Sequence, residues 1–111
     1  MITKFKIYEA INIGEPKVGD YVLIDPDRSR VLSDNVKFYL KTNIGRIRYK
    51  KFDKSIGDIY IIDYYDIPID NSRPYRGPMN VTSSFIKYWC KNKRSALIEF
   101  EPYITANKYN L

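Results

Sequence analysis

The stretch KVGDYVLID, residues 17–25, decides the interpretation of the fold because it joins a turn signal to an apolar strand. Gly19 accepts a positive φ without steric cost, and the Asp20 side chain can accept hydrogen bonds from nearby backbone amides. A turn is therefore predicted at this pair. We expect Gly19 to have a positive φ.

The apolar run that follows extends from Tyr21 to Ile24, and its side chains alternate between two faces of a sheet. Both faces are apolar, so we expect the strand to lie between a core and a second covered surface. The segment DPD at 25–27 ends the strand because proline cannot donate to a ladder. A glycine-aspartate turn leading into such a strand is frequent in SH3-like barrels.

Most of the remaining chain also favours strands, since it is rich in Tyr and Ile. Alternation at 4–10 is typical of a half-buried strand, and 85–89 is a further candidate. Residues 44–52 and 58–67 predict two longer strands, joined in a hairpin by 54–57. The run 70–80 contains two Pro and a Gly and predicts a surface loop.

Two segments are compatible with either a helix or a strand. NVKFYLK at 35–41 alternates like a strand, yet Ser33 or Asp34 could cap a short helix there. NKRSALIEF at 92–100 fits a helix halted before Pro102 or a strand with Ile98 and Phe100 inward. The predicted fold class is mainly β with minor α: a small SH3-like barrel or a strongly curved antiparallel sheet with one or two short helices.

Composition limits the classes of function. The chain of 111 residues is expected to form a single domain, 1–111, and it has 44% hydrophobic residues, one cysteine and no histidine. An internal disulfide, a cysteine zinc cluster and histidine-based catalysis are thereby excluded. No apolar run approaches a membrane span and no signal peptide is evident, so we expect a cytoplasmic protein with no membrane association.

An enzymatic function is not expected. Four aspartates, Asp58, Asp63, Asp66 and Asp70, could in principle bind a hard metal ion through oxygen atoms. Their spacing matches no known metal-binding loop, and the glycines of phosphate-binding motifs are missing. The sequence predicts no catalytic residue, no metal site and no cofactor.

Four short motifs, taken together, resemble small proteins encoded by tailed phages. They are KVGDYV at 17–22, NIGRI at 43–47, YDIP at 65–68, and IKYW at 86–89 followed by KNK at 91–93. The resemblance covers most of the chain from 17 to 93. It implies a phage origin, an SH3-like barrel and a short helix before the NIG motif. No assigned functional residues come with it.

Positive charge is concentrated in two clusters within a chain of net charge +6. The first lies in 41–54, where regular strand alternation would put Arg46, Arg48 and Lys50 on one face. The second surrounds Trp89. The candidate nucleic-acid-binding residues are Arg46, Arg48, Lys50, Lys51, Lys87, Trp89, Lys91, Lys93 and Arg94.

Two interpretations of these charges stay open. Basic side chains could neutralise phosphates while neighbouring Tyr or Trp rings stack on bases. Alternatively, the basic strand at 44–52 pairs with the acidic strand at 58–67, and the other lysines protect a solvated edge. In this second interpretation, opposite charges face each other across the two strands, and they bind no ligand.

The aromatic residues also allow two interpretations. Tyr60, Tyr64 and Tyr65 could form a cage for a methylated ammonium group, with Asp63 or Asp66 as counter-charge, or could simply pack a sheet face with their hydroxyls in water. Trp89 is either a core residue or a stacking platform. Cys90 is expected to be a small buried apolar residue.

Three kinds of function remain for a non-enzymatic binding module. The first is engagement of nucleic acid or a nucleotide by the basic and aromatic face, with strong salt dependence. The second is inhibition of a host protein, such as a defence effector, by a phage-encoded protein through an exposed apolar patch, in a salt-tolerant complex. The third is a minor virion assembly component, for which a symmetric oligomer would be diagnostic.

Overall fold

In a computed structural model of the chain, residues 12, 14–64 and 78–109 are described. They form β1 (Tyr21–Ile24), α1 (Asp34–Thr42), β2 (Gly45–Asp53), β3 (Gly57–Asp63), β4 (Met79–Thr82), β5 (Ile86–Cys90), α2 (Lys93–Glu99) and α3 (Glu101–Tyr109). A single 3₁₀ turn, Ser83–Phe85, separates β4 from β5. The five strands make one antiparallel sheet in the order β4-β3-β2-β1-β5.

The mainly β class with minor α is confirmed. Among the described residues the sheet is open, since β4 and β5 form its two edges, so the structure matches the antiparallel-sheet alternative and not the closed barrel. Three α-helices accompany the sheet in the described ranges, against the one or two predicted. None of these helices has the length and apolar character needed to cross a membrane.

Strand β1 lies between two cores, as its two apolar faces predicted. Val22 and Ile24 belong to the first core, which α1 covers with Val36 and Leu40. Leu23 belongs to the second core, which is completed by Cys90 of β5, Ala96 of α2, Ile104 of α3 and Phe100 between the two helices. Cys90 is buried, as expected.

The turn before β1 has the predicted chemistry. Gly19 has a φ of 94°. Asp20 is buried, and its Oδ2 accepts a hydrogen bond from the Lys17 backbone amide at 2.9 Å. Backbone hydrogen bonds from Gly19 to the Ile47 carbonyl and from Ile47 to the Asp20 carbonyl, each 2.9 Å, attach the turn to β2. The turn therefore fixes where β1 and β2 meet.

The hairpin of β2 and β3 is confirmed, although β3 ends at Asp63 and Tyr64 is outside the strand. The strand predicted at 85–89 is shifted by one residue to Ile86–Cys90. In the predicted loop, 70–77 lie outside the described residues, but Met79 and Asn80 begin β4 and so were wrongly assigned. The strand predicted at 4–10 also lies outside the described residues.

Both ambiguous segments are helical. The Ser33 hydroxyl caps α1 by accepting from the Val36 amide, and the Asn92 side chain caps α2 by accepting from the amides of Arg94 and Ser95. The helix alternative at 92–100 is confirmed, since α2 ends at Glu99, before Pro102. Pro102 itself lies in the first turn of α3, where a missing N–H costs nothing. Phe100 is buried between the two helices while Ile98 is half exposed.

Candidate nucleic-acid interface

A β-bulge separates the three basic residues that were expected on one face of β2. Ile47 pairs with Ile62, but Tyr49 pairs with Ile61, so Arg48 is an extra residue in the strand. Alternation is reset at a bulge. Arg46 consequently lies opposite Asp63, and Lys50 lies opposite Tyr60 on the other face. The prediction that Arg46, Arg48 and Lys50 share a face is wrong.

Carboxylates of β3 already engage two of these residues. Arg48 binds both carboxylate oxygens of Asp63: Nη2 lies 2.8 Å from Oδ1, and Nε donates to Oδ2 at 3.0 Å. Lys50 lies 3.4 Å from Asp58 and over the Tyr60 ring. The charge interaction with Tyr60, and then the hydrogen bond with Asp58, raise the pKa of Lys50 above its usual value. Cross-strand charge pairing therefore accounts for Arg48 and Lys50.

Arg46 is held differently from its two neighbours. Its Nε donates to the Gly19 carbonyl at 3.3 Å, and its guanidinium lies 5.3 Å from the centre of the Tyr21 ring. This hydrogen bond uses Nε, one of the nitrogens of the guanidinium that can donate. Lys51 is exposed further along β2.

The second basic cluster is spread over β5 and α2. Lys87, Lys91, Lys93 and Arg94 are all exposed, and Lys87 lies 5.7 Å from the centre of the Tyr88 ring. Trp89 is partly buried against the first core, and its backbone pairs with Asn12. This position supports the core interpretation of Trp89 and not a stacking platform.

A groove of about 560 Å³, the strand-helix groove, lies where the two basic clusters approach each other. Its strand side consists of Tyr21, residues 42–46 and residues 63–64. Its helix side is one face of α2 and α3, formed by Lys93, Leu97, Glu101, Ile104 and Lys108. The groove contains Arg46 from the first cluster and Lys93 from the second.

The charges of the strand-helix groove favour an anion. Arg46, Lys93 and Lys108 contribute three cations, whereas Asp63 and Glu101 are the two carboxylates. Asp63 is bound by Arg48, and Glu101 accepts a hydrogen bond from the Thr105 hydroxyl at 2.9 Å. The other predicted site residues, Arg48, Lys50, Lys51, Lys87, Trp89, Lys91 and Arg94, do not line this groove.

The described tyrosines do not form an open cage. Tyr60 is buried in the first core, and Tyr64 is 9% exposed and packs edge-on against Tyr39. Both therefore favour the packing interpretation, while Tyr65 lies outside the described residues. The Tyr64 hydroxyl differs from the expectation, however, because it is buried and not placed in water.

Eleven of the thirteen groove residues, among them Tyr21, Tyr64 and Lys108, were not among the candidate site residues. Tyr21 and Lys108 come from distant parts of the chain, and the packing of α3 beside the sheet brings them together. Of the four aspartates considered for a metal, Asp58 and Asp63 are paired with cations, and Asp66 and Asp70 are outside the described residues. Within the described part of the chain, no three metal-ligating side chains cluster together.

Comparison with protein-family models, with curated proteins and with solved structures found no match. Function is therefore inferred from the geometry of the strand-helix groove.

Proposed function

We propose that this protein is a non-enzymatic binding module that engages nucleic acid or a nucleotide through the strand-helix groove, in the cytoplasm of the cell in which it is made. The observation that carries the proposal is the convergence of Arg46 and Lys93, one from each basic cluster, on a single groove. Phosphate binding requires cations that act together on one ligand.

The groove also supplies surfaces for a base. Tyr21, Ile44 and Leu97 line it, and an aromatic ring such as that of Tyr21 can stack on bases without sequence preference. The guanidinium of Arg46 over the Tyr21 ring holds charge beside an aromatic surface. Volumes of about 300–1,000 Å³ are usual for small-molecule sites, so the groove can hold about one nucleotide.

Fluorescence anisotropy of labelled single-stranded and duplex oligonucleotides tests the proposal. Binding should weaken steeply between about 50 and 200 mM salt, because phosphate contacts release counterions. Lys93→Glu should reduce the affinity and lower the slope of log K against log salt by about 0.7 on a single strand. Lys93 is exposed at the start of α2, so the free energy of unfolding should change little.

Lys54→Glu is the matched control, since it makes the same charge change at an exposed position in the β2–β3 turn, outside the groove. Its affinity should stay close to that of the unmodified protein. An equal loss in both variants would assign the binding to net charge alone. Absence of binding at either salt concentration would reject the proposal.

A second candidate is binding of a host protein by a phage-encoded inhibitor, and the end of the β2–β3 hairpin favours it. Phe52 and Ile56 are 72% and 61% exposed there, and apolar anchors of this kind dominate protein interfaces. Phe52→Ser should abolish such a complex, whereas Lys93→Glu should leave it unchanged. The complex should also tolerate salt, which separates this function from phosphate binding.

A further inference from the structure

The outer edge of β2 is open along the part of the strand that follows the bulge. Strand β1 pairs with β2 only at Gly45 and Arg46, and the turn before β1 reaches no further than Ile47. Residues 49–53 pair with β3 on one side, and no backbone hydrogen bond between described residues joins them to another segment. Every second residue of this stretch therefore directs its N–H and C=O groups away from β3 with no strand to receive them.

The side chains of this edge repeat one combination on both faces of the sheet. Pairing with β3 is regular from Tyr49 to Asp53, so Tyr49 and Lys51 share one face and Lys50 and Phe52 share the other. Tyr49 is 49% exposed and Phe52 is 72% exposed, and both lysines are exposed as well. The order along the strand is therefore aromatic, cation, cation, aromatic.

The edge keeps an excess of positive charge after the ion pairs of the hairpin are counted. Lys50 lies 3.4 Å from Asp58, whereas Lys51 and Lys54 are exposed and form no ion pair with a described carboxylate. The acidic residue of β2, Asp53, accepts hydrogen bonds from two amides of the hairpin turn. Charge complementarity consequently requires an acidic occupant.

A second copy of this chain does not fit the edge. Antiparallel pairing of two β2 edges centred on Lys50 or Lys51 would place that lysine opposite itself, and like charges directly opposite each other are destabilising. Lysines and bulges at a sheet edge prevent pairing between identical chains. They do not prevent pairing with a strand that carries carboxylates, because opposite charges across a ladder stabilise it.

We propose that the outer edge of β2 at 49–53 pairs with an extended acidic segment of a partner protein, whose side chains lie opposite residues 49–52 in the order apolar, acidic, acidic, apolar. Main-chain hydrogen bonds supply the affinity and the alternating side chains supply the selectivity, as in other complexes in which a peptide adds a strand to a sheet. The order reads the same in both directions, so it fits a parallel and an antiparallel partner strand. None of these residues lines the strand-helix groove, so the inference does not depend on nucleic-acid binding.

A fluorescently labelled peptide with a central Val-Glu-Glu-Val sequence tests the pairing, and the same peptide with Val-Lys-Lys-Val is the control ligand. Fluorescence anisotropy should show saturable binding of the acidic peptide and no binding of the basic one. Lys51→Glu should weaken the acidic peptide about fivefold, because it replaces an attractive cross-strand pair by a repulsive one. Lys51 is exposed and forms no ion pair with a described carboxylate, so the midpoint of thermal unfolding should change little.

Lys91→Glu is the matched control variant, since it makes the same charge change at an exposed position between β5 and α2. It should bind the acidic peptide as the unmodified protein does. Equal losses in Lys51→Glu and Lys91→Glu would assign the binding to net charge and overturn the inference. No saturable binding of the acidic peptide to the unmodified protein would also reject it.

Hydrogen exchange measured by NMR distinguishes strand pairing from attraction between charges. Alternate amide protons of residues 49–53 should exchange rapidly in the free protein and slowly with the acidic peptide bound, because a partner strand accepts hydrogen bonds from every second residue of an edge. Exchange that stays rapid in the peptide complex would contradict the inference even if the peptide binds.

Two other occupants are distinguished by the same measurements. Slow exchange of these amides in a concentrated solution of the protein alone, together with a dimer in sedimentation, would make a second copy the occupant. Displacement of the bound peptide by a single-stranded oligonucleotide would make the edge a phosphate-binding surface. Either result overturns the inference. Lys93→Glu should bind the peptide normally, since Lys93 lies in the strand-helix groove, so failure of the proposed function leaves this prediction unchanged.

Discussion

Gly19 has a φ of 94°, a backbone conformation that strains any residue with a Cβ atom and β-branched residues most of all. A carboxylate oxygen of its neighbour Asp20 accepts a hydrogen bond from the Lys17 amide, and the Asp20 amide donates to the Lys17 carbonyl. Both roles were predictable from the sequence, because each depends on the chemistry of one residue and its immediate neighbours. The unpaired Tyr64 hydroxyl was not predictable, since it results from the surroundings of a folded core.

Gly19→Val should destabilise the protein by about 1–3 kcal/mol, the usual cost of a strained backbone conformation. Steric crowding adds nothing, because a Cβ at Gly19 would meet no atom within 4 Å. Urea unfolding measures the change, and Val18→Ala, at an exposed neighbouring position, is the control that should stay within about 0.5 kcal/mol. An unchanged free energy of unfolding for Gly19→Val would show that the turn does not need a glycine.

At the scale of elements, the strands followed from apolar alternation, but the bulge at Arg48 did not. The position of a single extra residue cannot be recognised from the alternation of one strand, because a bulge is defined by the register with the partner strand. The N-termini of two helices follow more directly from the sequence, because Ser33 and Asn92 are N-cap residues that accept amide hydrogen bonds. The choice between helix and strand for these segments required tertiary packing, since Phe100 suits either.

The bulge also makes the charge pairing of the hairpin testable. Arg48→Glu should lower the free energy of unfolding by up to about 1 kcal/mol, because it places a carboxylate beside Asp63 and the pair is partly exposed. Reversal of both charges, Arg48→Glu with Asp63→Arg, should recover most of that loss. Lys51→Glu is the control, since Lys51 lies opposite the apolar Ile59. Failure of the double variant to recover stability would argue against the ion pair.

At the scale of the whole molecule, β1 separates two cores that use opposite faces of the sheet. Apolar residues on both faces of a four-residue strand predicted this burial. The strand-helix groove was not predictable, because its walls come from α2, from α3 and from the ends of three strands that are distant in sequence. Sequence reasoning found Arg46 and Lys93 as cations but had no means of placing them together.

The two cores share a dependence on neutral tyrosines, and this predicts loss of stability at alkaline pH. Burial, and then the hydrogen bond with Tyr103, raise the pKa of Tyr88 from 10.0 to about 12. Tyr88 packs against the second core and stacks on Tyr103, with 4.1 Å between ring centres. In the first core, burial likewise raises the pKa of Tyr64. The folded protein therefore keeps protons that the unfolded chain releases above pH 10.

The contribution of these tyrosines to stability should consequently be constant below pH 10 and be lost as the pH rises through 12. The free energy of unfolding should fall by up to about 1.4 kcal/mol per pH unit for each proton retained. Urea unfolding at a series of pH values measures the slope. Tyr88→Phe should remove its own part of the slope and leave the part due to Tyr64, whereas Tyr109→Phe, at a position 71% exposed, should reproduce the slope of the unmodified protein. If Tyr88→Phe and the unmodified protein lose stability in parallel, Tyr88 is not held neutral by the second core, and the alkaline loss belongs to the first core alone.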